Sequence, residues 1–168
     1  MLPVIFGLSG PVLTAAERAL FRDTDPVGFI LFARNIEDPE QLRALTDSLR
    51  DLTGRAAMPI LIDQEGGRVA RLGPPHWLSW PAAQTLAGSA DCTEPERLAL
   101  AVERVRCNFE ALALELAGMG ITVTCAPVLD VPQPDAHGII GDRAFGASPE
   151  LVSILGRACL EGLELGGV

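Results

Sequence analysis

The sequence predicts an α/β protein built around a parallel sheet. Short apolar segments suited to buried strands alternate four times with longer segments in which apolar residues recur every three or four positions, as on one face of a helix. Long polar loops follow the third and fourth strands, and the other connections are short. This repeat is typical of a parallel sheet covered by helices, but it does not distinguish an open sheet from a closed barrel.

The first two strand-helix units have clear boundaries. Residues 4–8 and 27–32 are the predicted strands. Thr14, with Glu17 three residues later, forms a capping box that starts a helix reaching about residue 22. An Asp-Pro pair at residues 38–39 opens the second helix, which continues to about residue 52 with leucines three and four apart.

The third and fourth units follow the same plan. Residues 60–62 form the third strand, and Thr93 with Glu96 gives a second capping signal for a helix to about residue 117. Residues 121–125 are the fourth strand, and residues 148–150, Ser-Pro-Glu, open a final helix to about residue 165.

Composition excludes several classes of protein. With 168 residues, 48% of them hydrophobic, the chain can bury a real core. Its formal charge of −9 argues against binding to a nucleic-acid backbone. The first residues contain no basic segment and no apolar run long enough for a signal peptide or membrane span, so we expect a cytoplasmic protein without membrane partners. No CxxC pair occurs, so neither a zinc site nor a redox motif is predicted among Cys92, Cys107, Cys125 and Cys159.

Polar and charged residues are concentrated directly after the third strand. Asp63 lies at the carboxyl end of that strand, and parallel α/β proteins bind their ligands at the carboxyl ends of their strands. Glu65 and a Gly-Gly pair follow, and glycine lets a backbone turn sharply or approach a ligand closely. Arg68 and Arg71, three residues apart, could share one face of a helical turn.

Four segments in order carry a family resemblance. Residues 62–71, Ile-Asp-Gln-Glu-Gly-Gly-Arg-Val-Ala-Arg, resemble the signature loop of glycoside hydrolase family 3, most closely that of bacterial β-N-acetylhexosaminidases of peptidoglycan recycling. Residues 28–35 (Gly-Phe-Ile-Leu-Phe-Ala-Arg-Asn), 126–131 (Ala-Pro-Val-Leu-Asp-Val) and 141–146 (Gly-Asp-Arg-Ala-Phe-Gly) resemble the same family. The resemblance implies a (β/α)8 barrel of the triosephosphate isomerase (TIM) type. Residues 1–168 would supply about its first four units, as the N-terminal half of a single barrel domain.

The resemblance also implies roles for three residues. Asp63 matches a position that accepts hydrogen bonds from sugar hydroxyls, and Arg71 and Arg143 match donors that line the same sugar pocket. From the residues alone, Asp63 and Glu65, two apart, could be the nucleophile and the proton donor of a retaining glycosidase. The family instead places its Asp nucleophile and its His acid/base in later segments, so no catalytic residue is expected in this chain.

Other polar residues are expected to support the loops. Glu65 and Arg68 are predicted to form a local ion pair, and Asp130 and Asp142 to anchor the loop after the fourth strand. His137 in that loop is expected to be solvated rather than catalytic.

Residues 73–88 are predicted to be an irregular, proline-rich loop. Trp77 and Trp80 in it could stack on a sugar, but we expect them to pin the loop to the protein body. His76 has no visible catalytic partner.

The activity implied by the resemblance is hydrolysis of terminal, non-reducing β-linked N-acetylglucosamine from muropeptide-like substrates. A retaining mechanism without metal or organic cofactor is expected, with the carbohydrate as partner. An alternative is a non-catalytic half barrel that binds sugar or associates with itself. An aldolase-like barrel would need a Schiff-base lysine, and the sequence contains none.

Overall fold

Four parallel strands lie side by side in chain order, with at least one helix between each strand and the next. A computed structural model describes residues 1–133, 135 and 138–168. The strands are β1 (Leu2–Gly7), β2 (Pro26–Leu31), β3 (Ile60–Ile62) and β4 (Val123–Thr124). The helices are α1 (Ala15–Thr24), α2 (Pro39–Thr53), α3 (Ala83–Ala87), α4 (Pro95–Gly118) and α5 (Pro149–Gly166). The predicted parallel α/β fold is therefore confirmed.

The predicted capping box at the start of α1 is confirmed. The Thr14 hydroxyl accepts a hydrogen bond from the Glu17 backbone N–H, and the Glu17 carboxylate accepts from the Thr14 backbone in return. The same carboxylate accepts from the backbone N–H of Ser9, just past β1. Burial alone would raise the pKa of Glu17, but the hydrogen bonds from Ser9 and Thr14 outweigh it and lower that pKa to about 2. One carboxylate thus ties the end of β1 to α1.

Two local predictions were wrong. Thr93 does not cap α4, because its hydroxyl and its backbone N–H both donate to Asp91, and the capping residue is Glu94. Pro95 starts the helix instead, as proline suits a first helical position. The segment predicted to be wholly irregular also contains α3, a five-residue helix whose capping residue makes no side-chain hydrogen bond.

The core lies between the sheet and the long helices. Phe29, Ile60 and Ile62 of the central strands are fully buried. β4 is shorter than predicted. Ile121 does not begin it, because its N–H donates back to the Leu116 carbonyl at the end of α4. In the described part of the chain, no helix is long and apolar enough to span a membrane.

The two edge strands leave apolar side chains in solvent. On β1, Leu2 and Ile5 are 40% and 44% exposed, and on β4 Val123 is 37% exposed. On the last helix, Leu160 and Leu165 are 53% and 61% exposed. Parallel sheets are normally covered on both faces, so these exposed groups mark surfaces suited to further packing.

Helices α4 and α5 pack with unusually close backbones. A Cβ atom on Gly162 would lie 2.3 Å from the Arg106 carbonyl oxygen and 3.0 Å from the Glu110 nitrogen. A Cβ on Gly166 would lie 2.4 Å from the Ala113 Cβ. The absence of side chains on α5 at these two positions therefore sets the distance between the helices.

We expect Gly162→Ala to lower the free energy of unfolding by at least about 1 kcal/mol, because the added methyl group would push the two helices apart. Urea denaturation of the chain measures this change. Gly118→Ala is the matched control, since a Cβ there meets nothing within 4 Å. The control should leave stability unchanged or raise it by up to about 1 kcal/mol through helix propensity. Equal stabilities of the two variants would contradict the packing argument.

Candidate functional site

An ion pair occupies the carboxyl end of β3. Asp63 follows the strand directly, and its Oδ2 lies 2.7 Å from Nη2 of Arg71. Both side chains remain partly open to solvent, at 24% and 29% exposure. Two of the three residues predicted to bind substrate are therefore in contact. A carboxylate has about four acceptor sites, so Asp63 can accept a further hydrogen bond from a ligand beside its contacts with Arg71 and the Cys125 thiol.

Gln64 holds the segment between Asp63 and Arg71, a role that no local sequence pattern predicts. Its side chain is fully buried, and its Oε1 accepts from the backbone N–H groups of Arg71 and Leu72 at 2.7 and 3.0 Å. Its Nε2 donates to the Leu72 carbonyl at 3.0 Å. Thr124 on β4 hydrogen-bonds to the backbone of Gln64. An amide side chain can both donate and accept hydrogen bonds. Gln64 therefore satisfies backbone N–H groups and a backbone carbonyl of the loop at the same time.

The Gly-Gly pair forms a tight turn rather than the start of a helix. The Glu65 N–H donates to the Val69 carbonyl at 2.9 Å, and Gly66 and Gly67 have φ values of 92° and 58°. A Cβ on Gly66 would lie 2.3 Å from the Pro81 carbonyl oxygen. The suggestion that Arg68 and Arg71 share a helical face was therefore wrong, because this turn sends their side chains to different partners.

Two ion pairs join this turn to the loop after β4. Arg143 forms a two-pronged contact with Glu65, in which Nε and Nη2 each lie 2.8 Å from one carboxylate oxygen. Arg68 Nε lies 2.9 Å from Oδ1 of Asp142, and its Nη2 also donates to the backbone carbonyls of residues 139 and 140. The predicted Glu65–Arg68 pair was wrong: each of these residues has its partner more than 70 positions away.

The two-pronged contact between Arg143 and Glu65, called the fork below, raises the pKa of Arg143. The hydrogen bond to Glu65 is the largest cause, and burial has a smaller, opposite effect. The charges of Glu65, Asp130 and Asp63 raise this pKa further. Asp130 itself is exposed and has no hydrogen bond or ion pair with any residue that the structure describes. The anchoring role of Asp130 stays a prediction, whereas Asp142 does contact Arg68. His137 lies outside the described residues.

Cys125 is a neighbour of the site that the sequence did not single out. It follows β4 as Asp63 follows β3, and its thiol reaches the surface. Loss of solvent raises the pKa of this thiol, and the Asp63 carboxylate raises it further. No local pattern in the sequence indicates this contact, because only the pairing of β3 with β4 brings the thiol beside the carboxylate.

A cleft of about 460 Å³ borders the site, with Arg71 and Trp77 in its wall. The indole N–H of Trp80 donates to Glu115 at 2.8 Å, and both tryptophans pack against the core. The prediction that they pin the loop is confirmed. His76 is exposed beside Trp77. Among the residues that the structure describes, no group of His, Cys, Asp or Glu is arranged to hold a metal ion.

Residues 28–35 also support the carboxyl face of the sheet. Asn35 is fully buried, and its amide donates to the backbone carbonyls of Leu8 and Gly10 while accepting from the Phe32 N–H. Arg34 donates to the same Leu8 carbonyl. This motif fastens the end of β2 to the end of β1.

Together these features define a β/α-barrel type of protein, with a polar site at the carboxyl ends of its parallel strands. The chain belongs to glycosyl hydrolase family 3, since residues 11–168 match the N-terminal domain of that family. It forms about four β/α units of the (β/α)8 barrel.

Known proteins match nearly the whole chain. A β-hexosaminidase of Alkalilimnicola ehrlichii is 38% identical over 166 residues, which cover 99% of this chain and 46% of that protein. One of Chromobacterium violaceum is 39% identical over 166 residues, covering 99% of this chain and 44% of that protein. A crystal structure of NagZ from Neisseria gonorrhoeae in complex with N-trifluoroacetyl-D-glucosamine has a TM-score of 0.89 and 33% identity, covering 99% of this chain and 47% of that one. The chain spans about half the length of the curated relatives that it matches.

We predict that Asp63→Asn accelerates alkylation of Cys125 by iodoacetamide about threefold or more at pH 8, because removing the carboxylate charge increases the thiolate fraction. Mass spectrometry measures the rate in a Cys92→Ser/Cys107→Ser background, and Cys159 is buried. Asp130→Asn is the control. It should not change the rate, because the charges that shift the Cys125 pKa are those of Asp63, Glu65 and Arg71. An unaltered rate in Asp63→Asn would refute the assigned contact.

Proposed function

We propose that the protein containing this chain hydrolyses terminal, non-reducing β-linked N-acetylhexosamine residues, N-acetylglucosamine in particular, from muropeptide-like substrates of peptidoglycan recycling. The observation that carries this proposal is the match of nearly the whole chain to curated β-hexosaminidases at 33–39% identity. The structural similarity to a family member crystallised with an N-acylated glucosamine supports the same class of ligand.

In this proposal the chain contributes substrate-binding groups. Asp63 accepts a hydrogen bond from a sugar hydroxyl through its carboxylate, and Arg71 and Arg143 donate to hydroxyls of the same sugar. What supports these roles is their position after β3 and β4, and the pairing that holds each charged group in place. The nucleophile and the acid/base of the retaining mechanism lie outside residues 1–168.

The charge balance of the site favours an uncharged ligand group. Each arginine is paired with a carboxylate, Arg71 with Asp63 and Arg143 with Glu65. A site built to capture an anion would leave guanidinium charge uncompensated. Paired groups with spare donors and acceptors instead suit the hydroxyls of a neutral sugar.

We also propose that the 168 residues are the N-terminal half of one barrel domain. The exposed apolar groups on the edge strands β1 and β4 support this, since a closed barrel would pair both edges. Self-association of half barrels is the second candidate, because it would cover the same surfaces without supplying the catalytic residues of the family.

We expect Asp63→Asn in the full-length protein to lower kcat/KM for 4-nitrophenyl N-acetyl-β-D-glucosaminide about 10- to 100-fold, as for loss of a charged hydrogen bond. Steady-state kinetics measures this. Asp47→Asn is the matched control, since it breaks a comparable Asp–Arg pair with Arg43 on α2. Its kcat/KM should equal that of the unchanged protein. A full-length protein without activity on this substrate would refute the proposed function.

The intact mass of the protein from its native source distinguishes the two assemblies. We expect roughly twice the 17.8 kDa of these 168 residues, since the chain spans 46% of its relatives. Mass spectrometry gives the value directly. A native mass of 17.8 kDa would instead favour the self-associating half barrel and remove catalysis by the family mechanism.

A further inference from the structure

Two ion pairs connect the glycine turn after β3 with the loop after β4. They are formed by Glu65 with Arg143 and by Arg68 with Asp142. The two ion pairs join the same two segments but differ in exposure. In the inner pair, the side chains of Glu65 and Arg143 are 9% and 23% exposed. In the outer pair, Arg68 and Asp142 are 48% and 43% exposed, so solvent weakens that interaction.

The inner pair fixes the guanidinium group of Arg143 in one orientation. Nε and Nη2 lie on one edge of the planar group, and both contact the Glu65 carboxylate at 2.8 Å. Two parallel hydrogen bonds define the plane of the group, whereas a single bond would leave it free to rotate. Within the described part of the chain, the third nitrogen, Nη1, has no hydrogen-bond partner. The fork uses two of the five guanidinium N–H groups and leaves both N–H groups of Nη1 in a defined orientation for a ligand.

The backbone of Glu65 is itself held in place by its surroundings. The residue is 8% exposed, and its backbone N–H donates to the Val69 carbonyl across the glycine turn. A Cβ on Gly67 would lie 2.7 Å from the Ala82 Cβ, so the turn packs directly against the segment before α3. Glu65 is thus a rigid reference point rather than a mobile surface acid.

We propose that Glu65 is a positioning residue for Arg143, which it holds so that Nη1 donates to a hydroxyl of the bound sugar. Glu65 does not touch the sugar and acts only through Arg143. This inference rests on the proposed function and adds a residue to the substrate-binding machinery of the same site.

A purely structural role for Glu65 would have a different consequence. If the fork served only to join the two loops, its loss would lower stability or the fraction of folded protein, and kcat would fall with KM unchanged. If Glu65 orients a binding group, its loss weakens substrate binding and raises KM with kcat largely retained.

The experiment is a double-mutant cycle in the full-length protein with 4-nitrophenyl N-acetyl-β-D-glucosaminide. We expect Glu65→Gln and Arg143→Ala each to raise KM about 5- to 20-fold with kcat within about twofold, and the double variant to be no worse than Arg143→Ala alone. Multiplied effects in the double variant, or an unchanged KM in Glu65→Gln, would overturn the proposal. If Glu65→Gln does not fold, Glu65→Asp keeps the charge but draws it back by one methylene, and the same rise in KM is expected.

The control variant breaks an equivalent fork away from the site. Arg106 contacts both carboxylate oxygens of Glu103 on α4, through Nε and Nη2. Glu103→Gln should leave both kcat and KM unchanged, and an increase in KM equal to that of Glu65→Gln would overturn the proposal.

A second measurement separates this inference from the proposed function. In the 15N-labelled protein, we expect the Arg143 side-chain NMR signals to show hindered rotation that is lost in Glu65→Gln. If the protein has no hydrolytic activity, the proposed function fails, and the NMR result alone decides whether Glu65 fixes Arg143. Free rotation of Arg143 in the unchanged protein would overturn the positioning role.

Discussion

The buried amide of Gln64 is the contact on which the site depends, because it holds the loop after β3 against the sheet. Its oxygen accepts two backbone N–H groups and its nitrogen donates to a carbonyl, so three polar groups of the loop are satisfied in the interior. A carboxylate could not donate, and an apolar side chain would leave all three unpaired at a cost of about 1–3 kcal/mol each. The positions of Asp63 and Arg71, on either side of this contact, follow from it.

The charged residues of the site act as paired groups rather than as separate charges. The chain as a whole carries a formal charge of −9, yet both arginines that face the carboxyl ends of β3 and β4 are paired with carboxylates. Pairing orients each side chain, so little further ordering is needed when a ligand arrives. This arrangement suits a neutral, hydroxyl-rich ligand, for which direction of donors and acceptors matters more than net charge.

The sheet combines a well-packed interior with open edges. Phe29, Ile60 and Ile62 of the central strands are fully buried, whereas Ile30 and Leu61 are partly open to solvent. Helices α4 and α5 approach each other through bare glycine backbone. The edge strands β1 and β4 leave leucine, isoleucine and valine side chains in solvent, although they follow the same apolar pattern as the buried ones. The polar site lies on the loops that follow β3 and β4, and the buried hydrogen bonds of Gln64 hold the first of these loops to the sheet.

The sequence by itself determined the features that depend on near neighbours along the chain. The alternation of strands and helices follows from apolar periodicity, and the capping box joins Thr14 to a residue three positions away. It also placed Asp63 at a strand end and identified the family through ordered motifs. The prediction that Thr93 caps α4 failed because the Thr93 hydroxyl donates its hydrogen bond to Asp91 instead.

Only the tertiary structure decided which charges pair. Arg143 reaches Glu65 across 78 positions and Arg68 reaches Asp142 across 74, whereas the sequence suggested a pair within the turn itself. The role of Gln64 and the contact of Cys125 with Asp63 were equally hidden. The physical reason is that parallel pairing of β3 with β4 brings two distant loops to one edge of the sheet. Glu65 and Arg68 therefore pair with residues of the other loop at this edge, and not with each other.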